Sequence, residues 1–343
     1  MRVFKYRGGD KKIFERDLES LESDTFWASK REHLNDPSEG FLINNINAQV
    51  DAFVDAMHLD ASQIAGPKND LIKALSSLLE QRDEVGIFSL SQSYQDQLLW
   101  AHYAYNHQGF CIEYDSERLI ASSVGDWYFF PVKYVDRLPE LNLDELNLRS
   151  KRGAERFIQK MIGFKFTQWG YEKEMRVVCP KSEGQRYDYR AVKSIYFGLK
   201  MPEENKTALM SRLKGRGINY YQMQLHENSY LLNAVELEDE FVNASKYVPK
   251  LAPIQDQAVD LDFLNEKWKP FTNYLPRVAA IAQRVPWAEA VEMIEISDEQ
   301  SKETEPVFFA RIRIQGNNGR CKNVYYTVSE TDKEYAAIAE DRI

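Results

Sequence analysis

The chain has 343 residues, of which 43% are hydrophobic and 28% are charged, and its formal net charge is −9 at pH 7. This length allows a sizeable core and favours two domains. No apolar run approaches the roughly 20 residues of a membrane span. The acidic balance argues against broad nonspecific binding to nucleic acid. The three cysteines are scattered and offer neither a disulfide framework nor paired metal ligands, so we expect a reduced, cytoplasmic protein without a metal site.

Along the chain, strand-like segments and segments whose apolar residues have helical spacing follow one another in mixed order. This order predicts an α+β fold. Strands are predicted at RVFKYRG, TFWAS, VGIFSLS, GFCIEYD, WYFFPVKYV, YEKEMRVVCP and VKSIYFGL. Helices are predicted at KKIFERDLESLES, across 41–83, and at YQDQLLWAHYAYN, SKRGAERFIQKMIGFK and PEENKTALMSRLKGRG. The run INYYQMQLHENSYLLNAVEL predicts a hairpin. Pro131 indicates an edge strand or a bulge, because proline cannot donate a ladder hydrogen bond.

A change of composition near YVPKLAPIQDQAVDLD predicts a domain boundary, because two prolines bracket a polar connection. We expect one domain over 1–248 and a small α+β module over 255–343. That module is predicted to hold helices around 261–290 and a terminal hairpin about an Asn-Asn-Gly turn. Between Arg149 and Asn219 there are 17 Lys and Arg against 7 Asp and Glu. This basic middle could receive a phosphate-bearing ligand, or it could be a solvated face complementary to the acidic stretches downstream.

Several common chemical signatures do not occur in the sequence. There is no glycine-rich phosphate loop, no dinucleotide-binding G-x-G-x-x-G after a strand, no H-E-x-x-H and no G-x-S-x-G. The five histidines are too dispersed to predict a metal cluster. P-loop enzymes, zinc enzymes and α/β-hydrolases are therefore disfavoured.

Four stretches stand out together: FKYRG at 4–8, HLNDPSEG at 33–40, FSLSQSYQDQLLWAHYAYNHQGFCIEYD at 88–115 and WGYEKEMRVV at 169–178. Over roughly residues 1 to 240, their order resembles the bacterial family called domain of unknown function 2971, whose members are often met near phage-defence genes. The order of arginine, Ser-x-Ser and Glu-x-Glu also resembles the ADP-ribosyltransferase superfamily. That second resemblance implies a split, mixed or antiparallel sheet with flanking helices, and NAD as substrate.

The resemblance also implies roles for particular residues. Arg7 would hold a phosphate or ribose of NAD, Ser89 and Ser91 would shape the nicotinamide pocket, and Glu172 and Glu174 would supply the catalytic carboxylates. A carboxylate suits this chemistry, because cleavage of the glycosidic bond develops positive charge on the ribose. On a strand, residues two apart share a face, so both glutamates could point into one cleft.

The helix after the serines adds Trp100, His102 and Tyr103 as further candidates for one wall of the same cleft. Each candidate also has a purely structural interpretation. The aromatic residues could belong to the core, the serines could satisfy local backbone groups, and the glutamates could lie on an exposed charged strand.

Three functions therefore remain open from the sequence. The first is an ADP-ribosyltransferase-like enzyme, acting as a phage-defence effector or toxin on an unidentified protein or nucleic acid, with a partner protein bound through the C-terminal module. The second is a noncatalytic module that senses a nucleotide or nucleic acid. The third is a nuclease built on the same carboxylates, which would need a divalent metal.

Overall fold

The computed structural model describes residues 1–43, 45–56, 82–142, 151–259, 264–316 and 319–340, and scattered positions between 66 and 80. The strands are β1 Arg2–Arg7, β2 Thr25–Trp27, β3 Gly86–Ser91, β4 Phe110–Asp115, β5 Tyr128–Pro131, β6 Lys133–Val135, β7 Phe164–Phe166, β8 Glu174–Cys179, β9 Gly184–Arg186, β10 Val192–Phe197, β11 Asn219–Leu225, β12 Leu232–Leu237, β13 Ala288–Ile296, β14 Val307–Ile314 and β15 Cys321–Thr327. The helices are α1 Lys11–Glu22, α2 Ile46–Ala56, α3 Gln97–Tyr103, α4 Ser116–Ala121, α5 Lys151–Ile162, α6 Glu203–Arg212, α7 Leu275–Ala282 and α8 Val328–Glu340, with 3-10 helices at Arg31–His33, Thr167–Glu172, Tyr189–Ala191 and Glu266–Tyr274.

The main sheet has the strand order β12-β11-β10-β4-β1-β3-β8-β5. Its strands pair antiparallel except for β10 and β11, which are parallel and are connected through α6. The prediction of an α+β fold with a mixed sheet and flanking helices is therefore confirmed. The sheet is also split: the pairing of β1 with β3 is limited to Phe4 opposite Ser91, whereas β1 pairs with β4 along its whole length.

Helix α1 covers the side of the sheet that carries Val3. Asp10 caps it by accepting a hydrogen bond of 3.0 Å from the Ile13 amide. The apolar positions Phe14, Leu18 and Leu21 follow a helical period and are buried in the largest core cluster. Packing by α1 therefore places Arg16 and Asp17, which lie between Phe14 and Leu18, beside the end of β1.

Gly109 fixes how closely β4 approaches the end of β1. A Cβ atom at this position would lie 2.1 Å from the carbonyl oxygen of Arg7, so no other residue fits without moving the backbone. Arg7 pairs with Phe110 directly after this glycine. The backbone of Arg7 is thus held in place where β1 ends.

Several sequence expectations need correction. WYFFPVKYV forms two strands, β5 and β6, rather than one, although β5 does lie at the edge of the main sheet as Pro131 indicates. The helical prediction for 41–83 is met by α2, and much of the remainder lies outside the described residues. The helices predicted around 261–290 overlap the start of AEAVEMIEI, but this segment forms β13, because its alternation of polar and apolar residues suits a half-buried strand.

The C-terminal part forms its own antiparallel sheet, β13-β14-β15, with helices α7 and α8 packed against it. The predicted terminal hairpin is confirmed by β14 and β15, although Asn317 and Asn318 of its turn lie outside the described residues. A separate cluster of buried residues, including Trp268, Val291 and Phe308, forms the core of this part. The division into domains at 1–248 and 255–343 stays a prediction.

In the part of the chain that the structure describes, no helix is both long and apolar enough to cross a membrane.

Candidate functional site

A cleft of about 640 Å³ opens where β1 and β3 stop pairing. On the N-terminal side of Ser91, β3 has another backbone partner, because Ile87 exchanges two hydrogen bonds of 2.8 Å with Ser29. Lys5 reaches across the gap and its Nζ donates a hydrogen bond of 2.8 Å to the Ser89 carbonyl. The volume falls within the range typical of small-molecule sites, roughly 300–1,000 Å³. The split in the sheet therefore creates a cleft of ligand size.

One wall of the cleft is cationic. Lys5 and Arg7 lie two residues apart on β1, so they share a face, and Arg16 comes from α1. Between them lies Asp17, whose Oδ1 is 2.8 Å from Arg16 Nη2 and 3.9 Å from Arg7 Nη1. Burial, together with the charge of Arg7, lowers the pKa of Lys5 to about 7. This wall presents three basic side chains against one carboxylate, which suits an anionic group.

The opposite wall carries Glu172 and Glu174, but they do not alternate along a strand as expected. Glu172 ends the 3-10 helix, Lys173 adopts a left-handed conformation at φ 44°, and β8 begins only at Glu174. The two carboxylates nevertheless converge on one cation. Lys165 Nζ lies 2.7 Å from Glu172 Oε2 and 2.8 Å from Glu174 Oε2. The prediction of a shared strand face is wrong, whereas both side chains do line the cleft.

Behind Glu174 lies a second, fully buried ion pair. Arg176 Nε is 2.8 Å from Glu174 Oε1, and its two terminal nitrogens bind Glu39 at 2.6 and 2.8 Å. Burial by itself would raise the pKa of Glu174, but the charges of Arg176 and Lys165 lower it to about 2. Glu174 is therefore an ionised carboxylate over the whole physiological range.

We call Glu39, Lys165, Glu172, Glu174 and Arg176 the charged cluster. Its three carboxylates outnumber its two cations, so the cluster as a whole is negative. All five side chains are at most 7% exposed, and in such surroundings a net charge is poorly screened. Of its five members, Lys165, Glu172 and Glu174 line the cleft, so this wall presents two carboxylates against one lysine.

Ser91 and Tyr103 hold Glu172 in position. The Ser91 hydroxyl donates a hydrogen bond of 2.7 Å to the Glu172 carbonyl, and the Tyr103 hydroxyl donates to Glu172 Oε1. Burial and this hydrogen bond raise the pKa of Tyr103, so it stays a donor. Ser89, Ser91 and Tyr103 all line the cleft, where Ser91 holds the backbone of Glu172 and Tyr103 orients its carboxylate.

Two other predicted site residues lie elsewhere. Trp100 is 0% exposed, packs edge-on against Tyr6 at 5.2 Å, and donates its indole hydrogen to the Tyr94 carbonyl at 2.7 Å. It belongs to the core. His102 is exposed on α3, near the rings of Tyr103 and Tyr171, and does not line the cleft. The residues of α3 that line the cleft are Leu99 and Tyr103.

The sequence reasoning missed Lys5, Asp17 and Lys165 as residues of the cleft, and Glu39 and Arg176 behind it. Lys5 could have been found, because it shares the strand period of Arg7. Lys165 stands between two aromatic residues in FKF, where a lysine on a strand indicates an ion-pair partner. Glu39 belongs to the loop NDPSEG, and no local pattern shows that it meets Arg176, 137 residues further on.

Across the ranges given above, no three His, Cys, Asp or Glu side chains are arranged to hold a metal ion. Within the charged cluster, each carboxylate is paired with a lysine or an arginine. The nuclease interpretation therefore gains no support from this geometry.

The fold and the cleft define an α+β protein with a ligand-sized opening in a split sheet, basic on one wall and acidic on the other. Residues 99–177 match the family model described as Protein of unknown function (DUF2971), which confirms the expected family for this segment. The match includes Tyr103, Glu172 and Glu174, and it is shorter than the resemblance over 1–240. No curated protein and no solved structure matches the chain.

Proposed function

We propose that the cleft binds NAD and that the protein cleaves its nicotinamide glycosidic bond in an ADP-ribosyltransferase-like reaction. The observation that carries this proposal is the opposite charge of the two walls. NAD has the matching distribution, with an anionic pyrophosphate and a cationic nicotinamide ring. Arg7 and Lys5 would receive the pyrophosphate, since arginine in particular pairs with phosphate oxygens in a bidentate way.

Glu174 would face the nicotinamide ribose. In the reaction the bond between ribose C1′ and the ring nitrogen breaks, and its electron pair leaves with neutral nicotinamide. The ribose passes through an oxocarbenium-like state, whose charge a fixed carboxylate stabilises more than it stabilises the neutral ground-state ribose. An acceptor hydroxyl or amine then forms the new bond to C1′, and Glu172 receives the proton that it loses.

The charged cluster gives this role a physical basis. Lys165 lies between Glu172 and Glu174 and keeps the two like charges together. The surplus carboxylate leaves the wall negative after both cations are counted. Such a preorganised environment needs little rearrangement when charge develops on the substrate.

A second candidate is a noncatalytic nucleotide-sensing module that uses the same cleft. It is favoured by the pairing of Glu174, whose two oxygens are bound by Arg176 and Lys165. In this alternative the charged cluster maintains the fold and the cationic wall alone binds the ligand. The first proposal also includes an acceptor, which is a protein or a nucleic acid. It further includes action in phage defence or as a toxin, and a partner protein bound through the C-terminal part. A reducing, cytoplasmic setting is part of the same proposal and agrees with the three free thiols.

The test is to incubate the full chain with NAD and measure free nicotinamide, with and without magnesium. We expect release that does not need magnesium and that falls strongly in Arg7→Gln, with exposed Arg186→Gln as the matched control. Binding of ADP-ribose without any nicotinamide release, even with cell extract as a source of acceptors, would favour the sensing module. Failure of both NAD and ADP-ribose to bind would contradict the first proposal and would restrict the sensing module to other nucleotides.

A further inference from the structure

Trp27 is an exposed aromatic residue of the cleft that the proposed reaction does not use. It lies on β2, is 60% exposed and lines the cleft. The other five tryptophans are buried or half-buried, and each contacts another ring or a cation: Trp100, Trp127, Trp169, Trp268 and Trp287. Among the described residues, the indole of Trp27 makes no such contact and no hydrogen bond. Much of its ring is therefore open to a ligand.

The backbone around Trp27 is fixed, and its ring is left uncovered. The preceding residue, Phe26, is 1% exposed and stacks on Phe88 at 4.2 Å between ring centres. Successive side chains of a strand point to opposite faces, so Trp27 points away from this core. Its partner on β9 is Gly184, which has no side chain to cover the indole. A Cβ atom at Gly184 would meet no atom within 4 Å, so close packing does not require a glycine there.

Trp27 and Glu174 reach the cleft from opposite edges of β3. On one edge, Ile87 is hydrogen-bonded to Ser29, two residues after Trp27. On the other edge, β3 pairs with β8, which begins at Glu174. Neighbouring strands lie about 4.8 Å apart, so the strands on the two edges are separated by about 10 Å. Helix α1, which carries Arg16, packs beside β2. Trp27 is therefore on the side of the cationic wall, away from Glu174.

This position indicates which part of a dinucleotide would lie against Trp27. NAD carries one ring system on each side of its pyrophosphate. The proposed function places the nicotinamide ribose at Glu174 and the pyrophosphate at Lys5 and Arg7. The group beyond the pyrophosphate, on the side of Trp27, is then the adenosine. An exposed indole is a suitable platform for it, because every nucleic-acid base has a π-face that stacks on aromatic side chains.

We propose that Trp27 is the adenine-binding residue of the cleft and that the adenine ring stacks on its indole. This inference rests on the proposed function and goes further, because it makes the adenine a recognised part of the substrate. Since β2 is held by the packing of Phe26, the platform exists before the ligand arrives. Little conformational freedom is then lost on binding.

The test measures the affinity of the full chain for ADP-ribose by calorimetry. Adenine is the one aromatic ring of this ligand, which also lacks the scissile nicotinamide bond. We expect Trp27→Ala to weaken binding by about tenfold or more, as is typical for loss of one base–aromatic stack. Trp27→Phe keeps an aromatic face and should retain most of the affinity. A residue that only supported the fold would not show this dependence on an aromatic ring.

Tryptophan fluorescence provides a second readout. Stacking of adenine on an indole changes its emission, so ADP-ribose should change the emission of the wild type. The change should disappear in Trp27→Phe, which still binds the ligand and keeps the other five tryptophans. Tyr230→Ala is the matched control, because it removes a ring that is 91% exposed and does not line the cleft. It should leave the affinity for ADP-ribose unchanged.

The outcomes separate this inference from the function on which it rests. If Arg7→Gln weakens the binding of ADP-ribose and Trp27→Ala does not, the role of Trp27 alone is overturned. An emission change that persists in full in Trp27→Phe would also overturn it. If Trp27→Ala weakens the binding of NAD but not of ADP-ribose, the ring on Trp27 is nicotinamide and the assignment to adenine is wrong. If the wild type binds neither NAD nor ADP-ribose, the proposed function fails and this inference fails with it.

Discussion

The Nζ of Lys5 on β1 lies 2.8 Å from the carbonyl oxygen of Ser89 on β3, across the gap in the sheet. The ammonium also lies 5.0 Å from the centre of the Phe88 ring. One amino group thus bridges the two strands at the base of the cleft. Its charge depends on pH near neutrality, because burial and the charge of Arg7 lower its pKa to about 7.

The affinity for ADP-ribose should therefore fall as the pH rises. Lys5 is cationic below its pKa of about 7 and neutral above it. Its charged neighbours are Arg7, Asp17, Glu172 and Glu174. The pyrophosphate of ADP-ribose does not titrate in this range and favours the cationic form. Calorimetry should show a decrease of about tenfold between pH 6 and pH 8, as linkage predicts for one proton.

Two variants isolate the contribution of Lys5 to this pH dependence. Lys5→Arg carries a permanent charge, so its affinity should stay high and change little with pH. Lys5→Met should bind weakly at both pH values. Because His33 also lines the cleft, the series is repeated in His33→Gln. A decrease in Lys5→Arg equal to that of the wild type would assign the titration to another group.

Arg176 should be essential for folding stability. It is 0% exposed and binds both Glu39 and Glu174. Removal of one partner from a buried ion pair leaves uncompensated charge, which typically costs about 3–5 kcal/mol. We expect Arg176→Gln to lower the free energy of unfolding by about this amount in urea titrations. The exposed control Arg186→Gln should change it by less than about 0.5 kcal/mol, and equal effects would contradict a structural role for the cluster.

The connection between the two parts of the chain should be the first site of proteolysis. The Tyr247 amide binds the Gly215 carbonyl of the main part, and the Ala252 amide binds the Gln283 carbonyl of the C-terminal part. Between these anchors Val248 is 71% exposed. Limited trypsin digestion should cut after Lys250, and Lys250→Gln should slow that cut. Earlier cleavage within β13 to β15 would contradict a separately packed C-terminal part.

The sequence was most informative where local patterns control the structure. Strand alternation located β1, short and mostly apolar runs located the largely buried β3 and β4, and helical spacing located α1, which buries one regular face. The candidates Arg7, Ser89, Ser91, Tyr103, Glu172 and Glu174 do line one cleft. Trp100 could not be distinguished from a ligand contact, since an aromatic residue on a helix has the same pattern in a core and in a cleft.

Long-range electrostatics could not be predicted in the same way. Arg176 meets Glu39 because a loop before α2 folds back onto β8, and Asp17 meets Arg7 because α1 packs beside β1. No periodic pattern in the sequence indicates either contact. The left-handed Lys173 is another example, since it changes the expected strand at Glu172 into the end of a 3-10 helix.

Glu174 should be needed for bond cleavage and Glu172 for transfer to an acceptor. Glu174→Gln keeps the shape but removes the charge that faces the developing cation, so nicotinamide release should fall by ~10²-fold or more. Affinity for NAD should fall by less than the rate of release, because the ring charge is present in the ground state whereas the ribose charge develops only in the transition state. Glu172→Gln should retain nicotinamide release in water but lose incorporation of labelled ADP-ribose into acceptors in a cell extract.

Glu39→Gln is the matched control for Glu174→Gln, because it removes the same charge from the side of Arg176 that does not line the cleft. Both variants disturb one buried ion pair, so both should lose stability. If Glu174 acts on the substrate, its variant should lose far more nicotinamide release than Glu39→Gln when both are measured well below their unfolding transitions. Equal losses would mean that Glu174 acts through the fold, and the cleft would then be a binding site without this catalytic carboxylate.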